Sequence, residues 1–467
     1  MTLDSPAREY RDRFAGLDVS LPLLDGTQAA YVNFDNAAST PALRSVRQGV
    51  ERFLDYYASV HRGTGFKSQL STWAYEQSRR RTLAFVGADP SRDICVFGKN
   101  TTEAINKLAR RLPWQKGDVV LTTEMEHHSD DLPFRAVAEV VHIPVLTDGR
   151  LDLPAFEAGI REYRGRLRLV AVTGASNVSG YLNPVQELAK QAHAAGARIL
   201  VDCAQLAPHR RVEMRPWGDP GHLDFVALSA HKLYAPYGTG ALIGPRQAFE
   251  QGEPDLRGGG TVELVTLEEV TWAGPPDREE AGSPNVVGAV ALALAIAELE
   301  SIGMQAVARH EAQLTRYALE RLVTLPSVRI FGDPDPRRSA ERLGVIPIQL
   351  EGLSHFLVAS ILGHEFGIGV RSGCFCAHPY VLRLLGLSES QAADVRSKML
   401  AGDRREMPGM VRISFGLYNT QAEIDRLLLA LQAITAGTYA GVYEQDPTSG
   451  EYQPRGWHPD FSAYFPL

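Results

Sequence analysis

The chain has 467 residues, 44% of them hydrophobic and 22% charged, with a formal net charge of -7 and four cysteines. That is enough apolar sequence for two or three packed domains, and the mild acidic balance with dispersed arginine clusters argues against a nucleic-acid partner. So few cysteines in so long a chain exclude a disulfide framework and leave a reactive or metal-binding thiol to be weighed.

The opening stretch, MTLDSPAREYRDRF, is charged and has no apolar run ahead of a small-residue cleavage site. No secretory leader is expected, and a cytoplasmic location follows. From Asp93 onward apolar runs of strand length alternate with helical patterns: DICVFG, NTTEAINKLARRL, DVVLTTE, AEVVHIPV, RLRLVAVTG, PVQELAKQAHAAG, ARILVDCAQ and HLDFVALSAHK. Strands buried on both faces and separated by helices predict an α/β domain with a mostly parallel sheet. The apolar run in NVVGAVALALAIAELE is shorter than the ~20 residues that span a bilayer and reads as a buried helix. Beyond it, strands near VIPIQL, IGVRS and MVRISF, with helices at 353–363 and 421–435, predict a smaller α+β domain.

Ligands of such sheets sit at the carboxyl ends of the strands, and polar groups cluster there in this chain. Asp202 and Gln205 close RILVD, Asn177 follows LVAVTGAS, and Ser229, His231 and Lys232 follow FVAL. A carboxylate at the end of a buried strand needs a cation. One candidate is the protonated ring nitrogen of pyridoxal phosphate, with Lys232 holding its aldehyde; the alternative is an arginine partner for Asp202, with Lys232 at a surface. Thr101 and Thr102 lie at the start of NTTEAINKLA, where free amides and the helix dipole favour a phosphate, although many such starts only cap a helix. EMEHHSD places two histidines after another strand, as ring-stacking or ordinary loop residues; no second ligand pair at metal spacing accompanies them.

SAHKLYAPYGTGALIG, VDCAQLAPH, EMEHHSDDLPF, NVSGYLNP, SVHRGTGF, EEAGSPN and VRISFGLYNTQAEID occur in series between about Asn33 and Ala430. Together they resemble the cysteine desulfurase and selenocysteine lyase family of fold type I, class V aminotransferases. The resemblance implies a large, seven-stranded-type α/β domain binding pyridoxal 5'-phosphate, a small C-terminal α+β domain, and a homodimer with sites at the subunit interface. Its domain limits fall at 1–30 for an N-terminal segment of the small domain, 31–285 for the large domain, 286–437 for the linker helix and small domain, and 438–467 for a tail.

By the same resemblance Lys232 is the cofactor lysine, Asp202 the partner of the pyridine nitrogen, and Gln205 a donor to the phenolic oxygen. His127 stacks on the ring, and Thr101, Thr102, Ser229 and His231 hold the phosphate, with Ser283 reaching it from a second subunit. Arg412 matches the arginine that grips a substrate carboxylate, a bidentate task for a guanidinium, with Asn177 assisting. His61 and Arg62 line the entrance. Cys376 occupies the position of the sulfur-accepting cysteine, with Arg371, five residues earlier, a source of positive charge that favours its thiolate. The implied activity is conversion of L-cysteine to L-alanine with a persulfide on Cys376 and a protein as possible sulfur acceptor. The alternative on the same scaffold is a C–S lyase, epimerase or aminotransferase acting on a larger amino acid in specialised metabolism.

The chain departs from the pattern in three places. Cys374 stands where such desulfurases usually carry histidine, and GCFC resembles the desulfurase-like domain of molybdenum cofactor sulfurases. Cys374 is thus a small buried hydrophobe, a thiol that resolves the persulfide, or, with Cys376 and His378, part of a metal set that lacks a fourth ligand. The segment 387–409 and the tail from 438 are additions, the tail's aromatics being expected to pack on the body or on a partner copy.

Overall fold

The computed structural model describes residues 9–467; residues 1–8, on which the reading of the leader and of the segment 1–30 partly rests, lie outside the described residues. The central sheet has seven strands: β1 (Asp93–Gly98), β2 (Val119–Thr123), β3 (Glu139–Ile143), β4 (Leu167–Thr173), β5 (Arg198–Asp202), β6 (Phe225–Ser229) and β7 (Gly240–Pro245). Their order is β1-β7-β6-β5-β4-β2-β3, with parallel pairing from β6 to β3 and β7 antiparallel to both of its neighbours. Alternate residues of one strand enter opposite cores. Val170 and Val172 of β4 join one buried cluster, Leu169 and Ala171 the other. That is why these strands read as unbroken apolar runs rather than alternating ones.

Helices α1 (Phe66–Phe85), α2 (Thr101–Arg111), α3 (Val185–Ala194) and α4 (Val286–Ile302) cover the sheet, α2 on one face and the other three on the opposite face. Asn285 caps α4 by accepting from the Gly288 N–H at 2.9 Å, and Leu292, Ile296 and Leu299 of that helix are fully buried. Among the described residues no single helix is long and apolar enough to cross a bilayer.

Helix α5 (Met304–Leu322) leads to a four-stranded antiparallel sheet of β8 (Val328–Ile330), β9 (Val345–Leu350), β10 (Arg371–Gly373) and β11 (Met410–Ser414), ordered β8-β9-β11-β10. With α6 (His355–Phe366), α7 (His378–Leu385), α8 (Glu389–Leu400) and α9 (Gln421–Thr435), this part has its own buried cluster around Leu319, Ile346, Ile361, Ile413 and Leu427. Val32 and Phe34 join the same cluster, and Val32–Asn33 pairs in parallel with Ile368–Gly369. The segment 387–409 forms α8, which starts with a capping box between Ser388 and Gln391 and buries none of its residues. The tail returns as a hairpin of Tyr443–Gln445 and Tyr452–Pro454. Tyr443 donates to Glu365 at 2.9 Å and Ser360 to the Tyr452 carbonyl at 2.7 Å, whereas Phe461 and Phe465 are exposed.

Candidate active site

A cavity of about 440 Å³ opens at the carboxyl ends of the parallel strands. Each lining group follows from a strand end. β1 delivers Thr101 and Thr102 at the start of α2, β2 His127, β4 Asn177, β5 Asp202 and Gln205, and β6 Ser229, His231 and Lys232. β10 and β11 of the smaller part supply Arg371 and Arg412, which are direct cross-strand partners, and Cys376 follows in the next loop.

The start of α2 is built for an anion. Asn100 caps it by accepting from the Glu103 N–H at 3.0 Å. The Thr101 N–H donates to the Ser229 hydroxyl at 2.8 Å, and the Thr102 and Ser129 hydroxyls lie 2.7 Å apart. Three hydroxyls and the positive end of the helix dipole thereby face one corner of the cavity. β7 passes so close behind it that a Cβ on Gly240 would lie 2.4 Å from the Asn100 carbonyl carbon.

Burial pushes Lys232 down to about 8, opposed by the Asp202 carboxylate and assisted by Arg412. Burial pushes Asp202 up, with Lys232 opposing. The Ala204 N–H reaches Asp202 Oδ1 at 2.8 Å; among the described residues its other oxygen meets no donor. His127 Nδ1 accepts from the Ser129 N–H at 3.1 Å, and burial pushes the ring down to about 3, so it is a neutral imidazole. His231 is held down to about 4 by burial and Lys232. Gln205 donates to the Ala37 carbonyl at 2.6 Å.

Cys376 lies on the wall of this cavity with its side chain exposed, while Cys374 is buried. The Cys374 thiol donates to the Pro408 carbonyl at 3.0 Å, and burial pushes it up to about 12. Phe375 and Cys376 both have left-handed backbone, at φ 52° and 54°. Such a conformation costs a non-glycine residue about 1–2 kcal/mol, so the loop depends on its tethers. The Asn177 side chain donates to the Phe375 carbonyl at 2.7 Å, and the His128 N–H to the Cys376 carbonyl at 2.8 Å. The Arg412 guanidinium lies 4.9 Å from the Phe375 ring centroid.

Three expected residues lie outside the cavity. His61 is exposed at a left-handed φ of 69° and meets Tyr75 edge-on at 5.7 Å; Ser283 is exposed in the turn before α4. Arg62 donates to the Val262 carbonyl at 3.3 Å. None of the three lines the cavity of its own chain. Among the described residues no group of three His, Cys, Asp or Glu side chains is placed to hold a metal ion.

Three acids escaped the sequence reading. Asp35 pairs with Arg412 at 2.9 Å and with Arg371 at 3.0 Å. Glu126 accepts from Thr123 at 2.6 Å and from the Thr173 N–H at 2.7 Å. Asp130, fully buried, finds no donor for either oxygen among the described residues and lies within hydrogen-bonding reach of Glu126. Asp35 carries the same signal as Asp202, a carboxylate just after a short apolar strand, and EMEHHSDD displays the other two.

A mostly parallel seven-stranded sheet, a smaller antiparallel unit and a lysine-bearing cavity at the strand ends define a fold type I enzyme. The chain belongs to the aminotransferase class-V family, whose profile matches residues 32–427. It is 36% identical over 420 residues to a cysteine desulfurase of Dickeya dadantii, covering 88% of this chain and 93% of the relative. It is also 36% identical to a probable cysteine desulfurase of Halobacterium salinarum, covering 86% and 90% of the two chains. The solved cysteine desulfurase of Thermococcus onnurineus superposes with a TM-score of 0.76 at 34% identity, over 87% of this chain and 95% of that one. A cysteine desulfurase of Escherichia coli gives 0.75 at 27% identity, over 94% and 100%.

Proposed function

We propose that this protein is a pyridoxal phosphate-dependent cysteine desulfurase that converts L-cysteine to L-alanine and leaves the sulfur on Cys376. The observation that carries the reading is one cavity lined by an amine, Lys232, a carboxylate-binding guanidinium, Arg412, and an exposed thiol, Cys376. The donor set fits the cofactor. Asp202, buried with one oxygen short of a donor, suits a cationic ring nitrogen, and the neutral His127 suits a flat ring face. Thr101, Thr102, Ser229 and His231 suit a phosphate at the start of α2. When bound, the cofactor supplies an electron sink for charge developing at the substrate Cα.

The chain's own groups have separable tasks. Lys232 holds the cofactor, and its buried amine, with a value near 8, is the base for the Cα proton. Arg412 orients the substrate carboxylate. Its Nη1 already donates to the Asn177 carbonyl at 3.0 Å, while its buried Nε has no partner among the described residues. The Cys376 thiolate attacks the substrate sulfur, so that an S–S bond forms as the Cβ–S bond breaks and the electron pair and a proton go to the carbon skeleton, which leaves as alanine; Arg371 and Arg412 line the same cavity.

The proposal includes the division at about residue 285 and a homodimer in which Ser283, His61 and Arg62 serve a second copy's cavity. Two buried clusters support a two-part chain, although α4 packs in the cluster of the large sheet and Val32 and Phe34 in that of the small one. The exposed Leu264, Leu267, Phe66 and Trp73 near those loops support the second. A cytoplasmic location and a protein acceptor for the sulfur complete it.

The test is incubation of the purified protein with L-cysteine, followed by mass spectrometry of its peptides and of the products. A persulfide on the Cys376 peptide with alanine is expected. Pyruvate and ammonia without a modified thiol would replace the proposal with a C–S lyase.

A further inference from the structure

Beneath the thiol loop lies a pair of histidines that the reaction described above does not use. The His128 and His378 rings are stacked, with centroids 4.9 Å apart and planes within 4°. His378 is the first residue of α7, a helix without a side-chain cap of its own. The cap comes instead from across the chain. The His378 N–H points at His128 Nε2 at 3.3 Å, and His378 Nδ1 lies 3.0 Å from the same nitrogen.

The geometry fixes the protons. A backbone N–H only donates, so His128 Nε2 accepts and that ring is neutral, its proton on Nδ1. His378 Nδ1 then carries the hydrogen directed at Nε2. One acceptor thus serves two donors. Protonation of His128 at Nε2 would set a third donor against both and break them together. The backbone of His128 also holds the Cys376 carbonyl at 2.8 Å, so one residue grips the loop on either side of Ala377. That grip matters because Phe375 and Cys376 sit in left-handed backbone.

We propose that His128 and His378 form a latch that holds the Cys376 loop against the cavity, with His378 a positioning residue for the thiol, and that acid opens it. The inference rests on the proposed role of Cys376. Burial holds both rings below the ordinary histidine range. The charged groups facing His128 are Asp131, which favours its protonation, and Arg135 and the His378 ring, which oppose it; among the described residues no charged neighbour acts on His378. Asp131 is itself tied to Arg135 at 2.6 Å and His142 at 2.9 Å. Because Ser129 in the same short helix bonds to Thr102, the latch joins the thiol loop to the anion corner.

The test is backbone hydrogen exchange of residues 374–380 in the cofactor-loaded full-length protein, compared with His378→Phe, which keeps an aromatic ring and the backbone donor but loses the side-chain donor, and His378→Asn, which keeps a side-chain donor. At neutral pH exchange should rise about tenfold or more in His378→Phe and stay near the parent rate in His378→Asn. After correction for intrinsic rates, the parent should lose protection as pH falls below the ordinary histidine value of ~6.5, and His378→Phe, left with the backbone donor alone, should show a smaller break. Persulfide yield on Cys376 should fall in His378→Phe with an unchanged KM for L-cysteine. Equal protection in the parent and His378→Phe, or the same acid break in both, overturns the latch. Should His378→Phe not fold, absence of the acid break in the parent overturns it alone. The exchange readout needs no turnover, so a protein without desulfurase activity would refute the proposed function and leave the latch to be judged separately.

Discussion

Arg412 and Asp35 form an ion pair at the cavity, Nη2 to Oδ1 2.9 Å, with the arginine side chain 3% exposed and the aspartate 19%. A substrate carboxylate must therefore share or displace an anion that already occupies the guanidinium. Asp35→Asn keeps an acceptor and removes that competition. The KM for L-cysteine should fall while stability drops by ~3 kcal/mol, because a buried guanidinium loses its counter-charge. Arg412→Lys should act in the opposite sense on binding and raise KM by roughly 10- to 150-fold, the equivalent of about 1.5–3 kcal/mol for a charge-assisted pair. A KM unmoved by either change, measured by steady-state kinetics, refutes this role for the pair.

Lys232 should be the residue to which the cofactor becomes fixed on borohydride reduction, read as added mass on its peptide. Its folded value near 8 lies below the ~10.4 of an unfolded lysine. Between those values the unfolded chain binds more protons, so the stability of cofactor-free protein should rise with pH across about 8 to 10.4. Lys232→Met should flatten that rise in a series of thermal melts.

The strand-and-helix order of the large sheet was legible because its strands other than β3 are buried on both faces and announce themselves as continuous apolar runs. The places of Asp202 and Ser229 were legible because they close such runs, and that of Lys232 because it follows one directly. Asp35 was not, since its meaning lies in two arginines that the chain brings to it only through the second sheet. The same holds for the partnership of His128 with His378, made across separate elements. Nor did the pattern distinguish the tasks of Asn177. Its side chain tethers the Phe375 carbonyl, and only its backbone reaches Arg412.

Glu126 and Asp130 should leave a mark on the pH dependence of stability. Burial pushes Glu126 up to about 8, with Asp202 adding to the rise, and burial and Glu126 push Asp130 up as well. A carboxyl raised in the fold stabilises fully below its unfolded value of ~4.3 and loses that contribution as pH climbs through the folded value. Glu126→Gln keeps the acceptor for Thr173 and offers Asp130 a donor. Melting temperature should therefore decline less steeply between about pH 4.3 and 8 in the variant than in the parent. Parallel profiles would show that Glu126 is ionised throughout.

The two thiols should behave oppositely. Cys376→Ser should still bind cofactor and L-cysteine by absorbance yet release almost no sulfide, because the exposed nucleophile on the cavity wall is gone. Cys374→Ser should keep turnover, its hydroxyl replacing the bond to the Pro408 carbonyl. Its effect on persulfide lifetime follows from the same environment. A thiol buried and held near 12 has almost no thiolate at neutral pH, and exchange requires thiolate and access. Cys374 is thus a poor resolving residue, and the persulfide on Cys376, followed by mass spectrometry, should decay at the same rate in Cys374→Ser as in the parent. A clearly longer lifetime would mean that the loop opens far enough to expose Cys374. Loss of sulfide release in Cys374→Ser rather than Cys376→Ser would move the acceptor to the buried position.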